Sequence, residues 1–477
     1  MKAFLNKVFK LDENKTTVRA ELIGGLTTFF AMCYIIIVNP NQMIGFSFDV
    51  PGATAIWNAC FVGGIISAVI ATLCMAFIAN KPFALAAGMG LNSFFFVSFL
   101  LPCIISSSDL TNGYQAGLAV ILVSGVIFLL LSVTKLRSYI ATALPKCLKV
   151  AIPAGIGLFI AFIGFKNGGV VVANQYTFVG IADLTKWENV PAFLITFIGL
   201  IIIVSLHSLA KYHPENKVLK MFNNFGIILA IVVCTALYYA FGLKTEITTT
   251  SIGQTFKDWV DLGLVGAFKG FKFAFDGQTI GSIFTVVMAL ISFTLVDMFD
   301  TLGTVYGTAA AAGQVDENGD PLDLDKVMLC DAIGTAVGAA TGCSTITTFV
   351  ESASGVAAGA RTGLASLVTA VLFLVCLFLA PVAQYVPTIA TAPALIFVGV
   401  LMVKNIAKMN FEDLSEAVPG FLAFIIMPLT YSISNGIMVG AISYTIIRLF
   451  TGKYSKNDIV VTIIAVISVL RFAFVTM

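Results

Sequence analysis

Long apolar runs alternate with short polar breaks along almost the whole chain. A helix that spans a bilayer needs about 20 mostly apolar residues. By that measure the first half predicts segments at 22–42, 56–78, 83–101, 116–133, 148–165, 191–208 and 221–241. The second half predicts 281–306, 327–341, 346–360, 364–383, 389–403, 419–432 and 436–450, and one further apolar stretch, 459–475, ends the chain. Several segments are short or broken by glycine and proline, notably 83–101 and the pair flanking Gly342. These make poor simple spans. Non-helical backbone at membrane depth is tolerated only where protein buries it or water lines it, so the broken segments point inward, towards a site.

The linker from Gly242 to Gln278 is rich in strand and turn residues (TEITTTSIGQ, KGFKFAFDGQ) and separates two halves of seven segments each. An odd number per half makes any repeat inverted in the membrane, a plan shared by many secondary transporters. The third segment of each half is the glycine-rich, broken one: ALAAGMGLNSFFF (84–96) and TGCSTITTFVESASGVAAGARTG (341–363). Loop charge sets the orientation. Lys2, Lys7, Lys10, Lys15 and Arg19 precede the first segment, and Lys135, Arg137, Lys146, Lys149, Lys211, Lys217 and Lys220 follow the fourth and sixth. The loops after the first and third carry no Lys or Arg, so the positive-inside rule predicts a cytoplasmic N-terminus. The stretch 459–475 reads either as a fifteenth span or as a helix packed at the interface.

Composition narrows the class. Of 477 residues, 58% are hydrophobic and 11% charged, too little charge to cover a soluble protein of this size. The net charge of +2 offers no basic stripe for nucleic acid. Nine cysteines are scattered without a CxxC, and the two histidines, His207 and His213, flank one short basic loop, so neither a metal site nor a haem site is expected. The basic N-terminus lacks a small-residue cleavage site and reads as an uncleaved tail lying on the membrane surface.

TLVDMFDTLGT (294–304) follows the apolar run IFTVVMALISF and carries two carboxylates, Asp297 and Asp300. A charge at mid-membrane costs roughly 2.5–3.5 kcal/mol on insertion scales, and function is the likeliest compensation. Three residues apart, the two acids lie about 300° around the helix and hence close together on one face. Glu351 is a third acid, set between a Thr/Ser-rich stretch suited to a strand and small residues suited to close helix packing. The other broken segment supplies Gly88, Gly90, Asn92 and the run Phe94, Phe95, Phe96, an amide that both donates and accepts and flat apolar walls. Asn39-Pro40-Asn41 opens the backbone ladder of the first segment. DENGDPLDLD (316–325) misses the EF-hand spacing and reads as a solvated loop, while Lys166 and Arg361 read as interfacial snorkels.

These motifs together resemble the nucleobase:cation symporter-2 family of the nucleobase–ascorbate transporter superfamily, and most of all its AzgA-like branch for adenine, guanine and hypoxanthine. The resemblance runs from FFAMCYIIIVNPNQM through ALAAGMGLNSFFF, VDMFDTLGT and TTFVESASGVAAGARTGL to MPLTYSISNGI. It implies an all-α polytopic membrane protein of fourteen spans in two inverted repeats of seven, with short strands in the third and tenth segments. It also implies a core domain (20–140 and 278–385) and a gate domain (141–277, including an extracellular linker, and 386–452), with 1–19 a tail and 453–477 an extra hydrophobic segment. Matching DTLGT and ESASG to the relatives' motifs makes Asp300 and Glu351 the substrate-holding acids. Gly90, Asn92, Phe94, Thr348 and Phe349 join them as candidate binding residues, and Asp300, Asp297 and Glu351 are the candidates for proton coupling. Thr301 stands where many uracil and xanthine carriers have histidine, and whether Asp297 or Asp300 couples stays open.

The expected activity is proton-coupled uptake of a neutral purine base across the cell membrane, without cofactor or metal, with sodium less favoured than the proton and with membrane lipid as surroundings. Phe94, Phe95, Phe96, Phe29 and Phe30 are the candidate stacking rings. Homodimers are common in the superfamily, but no interface is legible here. An intramembrane aspartyl protease would need a GxGD motif, which the sequence lacks. An anion exchanger on the same plan should avoid carboxylates such as Asp300 and Glu351. A passive facilitator differs from a symporter only in ignoring the proton gradient.

Overall fold

The computed structural model describes residues 2–134, 144–213, 225–244, 249–277, 279, 283–316, 321–455 and 458–474. Among them, nine helices are long and apolar enough to cross a membrane, and four shorter apolar helices accompany them. Each apolar run read from the sequence coincides with a helix or with a strand followed by a helix. The first segment is Val18–Met43, with a break at Cys33 and Tyr34 and Pro40 inside its second part; the second is Ala53–Ala79. The fourth and fifth are Leu110–Val133 and Lys146–Asn167, the sixth Trp187–Ala210 and the seventh Gly226–Ala240. The eighth is Ile283–Ala312 and the ninth Leu324–Thr341. Gly363–Ala383, Thr388–Lys408, Leu414–Leu429 and Ile433–Phe450 are the eleventh to fourteenth, and Ile459–Phe474 is a fifteenth helix.

Segments three and ten are split. Strand β1 (Leu85–Ala87) leads into the helix Met89–Phe95, and β4 (Ile346–Thr348) leads through Glu351 into the short helix Ser352–Ala357. The two strands run antiparallel, pairing Leu85 with Thr348, Ala86 with Thr347 and Ala87 with Ile346, and all six residues are buried. Their outer edges still need partners at membrane depth. The Thr72 hydroxyl supplies one side, accepting from Leu85 N at 3.0 Å and donating to its carbonyl at 3.1 Å. Thr335 accepts from Ile346 N at 3.3 Å, and Ser352 accepts from Ala84 N at 3.0 Å. A second hairpin, β2 (Val171–Asn174) with β3 (Phe178–Ile181), is exposed between segments five and six.

The segments pack as two groups. One, two, four, nine, ten and eleven lie against one another, as do five, six, seven, twelve, thirteen and fourteen. The eighth segment touches both groups, and the third contacts the fifth and fourteenth. Glycines set the closest approaches. A Cβ at Gly25 would lie 2.5 Å from the Ala365 carbonyl, and one at Gly363 would lie 2.1 Å from that of Ala76.

The linker departs from the strand-and-turn reading. Residues 245–248 and 278 lie outside the described residues, and from Ile252 to Ala274 the linker is helical: Ile252–Asp258, a π-helical turn over Trp259–Leu264, and Gly266–Ala274. Packing overrides the local propensity. Gly263, Gly266, Ala267, Gly270 and Ala274 are buried at helical spacing, and Gly270 approaches the fourth segment so closely that a Cβ would sit 1.8 Å from the Gln115 carbonyl. Ser251 caps the first of these helices by accepting from Gln254 N, and the Trp259 indole donates to the Thr341 carbonyl at 2.8 Å. The linker is thus fastened to segments two, four and nine. The tail forms a helix, Lys2–Phe9, and Phe9 and Leu11 are buried against Ala76 and Leu364.

Candidate functional site

A cavity opens where the two groups meet. From one side Asp300 and Thr304 of the eighth segment line it, with Met89 and Thr347 to Glu351 from the strand–helix turns. Ile160 of the fifth segment and Val398 and Met402 of the twelfth close the other side. Asp300 and Glu351 are 8% and 6% exposed, so both carboxyls sit in a site nearly stripped of water. Gly88 faces Asp300: a Cβ there would meet its Oδ2 at 3.5 Å and Thr347 Cγ2 at 3.2 Å. Glu351 is fixed from behind, where the Tyr34 hydroxyl donates to Oε1 at 2.6 Å. Two carboxyl groups, one from the eighth segment and one from the turn after β4, can accept N–H donors from a flat polar ligand, with apolar walls at Ile160, Phe349 and Val398.

The two acids of the eighth segment face different neighbours. Asp300 looks into the cavity, whereas Asp297, fully buried, accepts from the Thr335 hydroxyl of the ninth segment at 2.9 Å. Thr301 reciprocates, donating to Asp331 of the ninth segment at 2.5 Å. Thr348 and Phe349 line the cavity; Gly90, Asn92 and Phe94 lie outside it. Asn92 donates to Asn39 Oδ1 at 3.0 Å and accepts from the Ser344 hydroxyl, tying the third segment to the first and to the turn before β4. At Gly90 a Cβ would fall 2.1 Å from Ile433 Cδ1, so this glycine admits the tip of the fourteenth segment. Phe94 packs on Phe293 with ring centres 4.7 Å apart. Phe95 packs edge-on against Phe99, and Phe29 lies edge-on to both Phe30 and Phe373.

With this geometry in view, the comparisons with known proteins are informative. The Permease family profile matches residues 19–439. The chain belongs to this permease family. It is 36% identical over 471 residues to the adenine permease AdeQ of Escherichia coli (strain K12), covering 99% of this chain and 96% of AdeQ. It is 37% identical over 476 residues to the guanine/hypoxanthine permease PbuG of Bacillus subtilis (strain 168), covering 98% of this chain and 99% of PbuG. Among solved structures, the transmembrane domain of the cyanobacterial bicarbonate transporter BicA aligns with a TM-score of 0.58 at 15% identity, over 87% of this chain and 97% of that one. SLC26A9 aligns with a TM-score of 0.55 at 14% identity, over 92% of this chain and 67% of that one. At such identities the likeness concerns the fold alone: this permease is a multi-pass membrane protein with the same two-repeat architecture.

Several polar groups of the permease were not singled out from the sequence. Asp331 carries the same cost signal as Asp297, an acid inside an apolar helix, and that signal alone could have found it. Tyr34 gave a weaker hint, since a tyrosine in an apolar run needs a partner for its hydroxyl. Glu21 is fully buried and accepts from the backbone N–H groups of Arg361 (2.8 Å), Thr362 (3.3 Å) and Ala365 (3.2 Å), so it caps the eleventh segment. Arg361 is held to the protein, donating to the Val356 and Ala360 carbonyls, and Lys166 lies over the Tyr431 ring at 5.0 Å. In the acidic loop, 317–320 lie outside the described residues, and Asp323 pairs with Lys81 and Lys326.

Proposed function

We propose that this permease imports purine nucleobases, adenine or guanine/hypoxanthine, by proton symport with alternating access. The observation that carries the reading is the cavity holding Asp300 and Glu351 at the meeting of two separately packed groups of segments. The relatives AdeQ, an adenine permease, and PbuG, a guanine/hypoxanthine permease, supply the substrate class. Asp300 and Glu351 accept hydrogen bonds from ring N–H groups, while backbone groups of the two broken segments read the remaining edge. A carboxyl held away from water can take up and release a proton in the working range of pH, so a protonated site with a neutral base carries no net buried charge. Asp300 is the coupling acid in this reading, and Asp297 supports it through the ninth segment.

In the same reading 20–140 and 278–385 form the core domain and 141–277 and 386–452 the gate, which rock against each other around the cavity. The linker helices are the exception within 141–277 and move with the core, against which they pack. The N-terminal tail, basic by sequence, lies on the cytoplasmic side of the cell membrane. The test is uptake of labelled adenine and hypoxanthine into proteoliposomes with and without an imposed inward proton gradient. Accumulation of one base above equilibrium, abolished by a protonophore, supports symport. Equilibration that ignores the gradient makes the protein a facilitator, and no flux of either base refutes the substrate assignment.

A further inference from the structure

The fifteenth helix, Ile459–Phe474, buries one face at helical spacing (Val461, Ile464, Ala465, Ser468) and turns Ile463, Val466, Val469 and Leu470 outward. Arg471 continues the inner face. An arginine one turn from a helix end ordinarily extends to the interface. This one points inward instead. Its Nη1 donates to Ser292 of the eighth segment at 2.7 Å and to Ser434 at the start of the fourteenth, and its guanidinium lies 5.8 Å from the Phe94 ring of the third. Nη1 shares its two protons among the Ser292 and Ser434 hydroxyls and, at 3.6 Å, the Met438 sulfur of the fourteenth segment, while Ser292 spends its own proton on the Met288 carbonyl at 2.8 Å. The surroundings are otherwise apolar. A second, small cavity lies beside the guanidinium, with Met288, Ile291, Val296, Ile437 and Ile467 in its lining. A cation there is costly unless its hydrogen bonds are kept.

Ser292 and Phe94 belong to the core and Ser434 to the gate, on the grouping proposed above. We propose that Arg471 is a positioning residue of the transport cycle, a bolt from the fifteenth helix that joins the eighth segment to the tip of the fourteenth and favours the arrangement seen here. Moving the gate past the core separates Ser292 from Ser434, and one guanidinium nitrogen can no longer serve both. The additional helix is therefore part of the moving machinery and biases which face of the carrier is open. The inference rests on the core-and-gate reading, but not on the substrate being a purine.

The test places a reporter cysteine in the central cavity (Met402→Cys) and labels it with a membrane-impermeant maleimide from either face of oriented proteoliposomes. Mass spectrometry of the peptide holding residue 402 gives the ratio of the two rates. Arg471→Met and Ser434→Ala are each expected to change that ratio by more than threefold, and Arg471→Lys to keep it within twofold of the parent. Melting in detergent is followed in parallel. A ratio unchanged in both Arg471→Met and Ser434→Ala overturns the proposal, and a lowered melting temperature with an unchanged ratio reduces Arg471 to a static anchor. Should Arg471→Met fail to fold, Ser434→Ala decides alone, because it keeps the arginine and removes the gate-side hydroxyl, leaving only the weaker contact to the Met438 sulfur. Labelling needs no substrate, so failure of purine uptake leaves this result readable.

Discussion

Tyr34→Phe isolates one hydrogen bond at the site. Tyr34 is 1% exposed, and its hydroxyl donates to Glu351 Oε1 at 2.6 Å, a short contact to a carboxyl group. Phenylalanine keeps the ring and its packing and deletes only the donor. Hydrogen bonds to charged groups contribute about 1.5–3 kcal/mol, and about 1.4 kcal/mol is a factor of ten, so the expected loss is about 10- to 100-fold. Tyr34 stands behind Glu351 rather than on the cavity wall, so its effect passes through the orientation of that carboxyl. A carboxyl that binds substrate in the resting complex affects mainly KM, so KM should rise by most of that factor while Vmax changes little. The assay is initial-rate uptake of the transported purine into proteoliposomes, with detergent melting as the control for folding. Kinetics within twofold of wild type would refute the claim that Glu351 must be held in place.

Further outcomes follow from the packing around the site. Glu21→Ala orphans the Arg361 and Thr362 backbone donors at the start of the eleventh segment, while Ala365 N keeps the Thr362 carbonyl, and this costs about 2 kcal/mol or more; the melting temperature should fall with purine KM within twofold. Gly270→Ala forces a methyl group against the Gln115 carbonyl, an overpacking cost of about 1–3 kcal/mol, and should lower the melting temperature in the same assay. At the start of the thirteenth segment the Ser415 hydroxyl and backbone N–H, with Lys453 beyond them, hold the Asp413 carboxyl down at about 2 from its ordinary 3.8. A depressed carboxyl stabilises the fold above its unfolded value and loses that contribution as pH falls through the folded one. The melting difference between wild type and Asp413→Asn should therefore stay constant from about pH 8 to 5 and narrow on acidification below about 4.

Much of the architecture was legible because lipid imposes a simple rule. A run that must cross hydrocarbon must be apolar and must satisfy its own backbone, so apolar runs mark spans and glycine-rich breaks mark the places where other groups take over. That logic located the broken segments at ALAAG and STITTF; that each holds a short strand was implied by the family resemblance, and the strands' partners Thr72, Thr335 and Ser352 were not legible. The linker from Ile252 to Ala274 was misread because FKFAF carries strand propensity, whereas its buried glycines and alanines match a helical groove on the fourth segment. At the site, the cost of intramembrane charge singled out Asp297, Asp300 and Glu351 from composition alone. Periodicity could not tell which acid of the eighth segment faces the cavity and which faces Thr335, since that depends on where the ninth helix lies. Asn92 has the chemistry of a ligand-reading amide, and its hydrogen bonds go to Asn39 and Ser344 instead. Tyr34, Glu21 and Arg471 acquire their meaning only from partners more than 30 residues away.

The central claim is that Asp300 and Glu351 bind the base and couple it to the proton. The most direct measurement is purine accumulation in proteoliposomes under an imposed inward proton gradient, comparing wild type with Asp300→Asn and Glu351→Gln, each checked for correct folding. The account predicts gradient-driven accumulation of adenine or hypoxanthine in wild type and its loss in both variants. Accumulation that persists unchanged in both variants would contradict it.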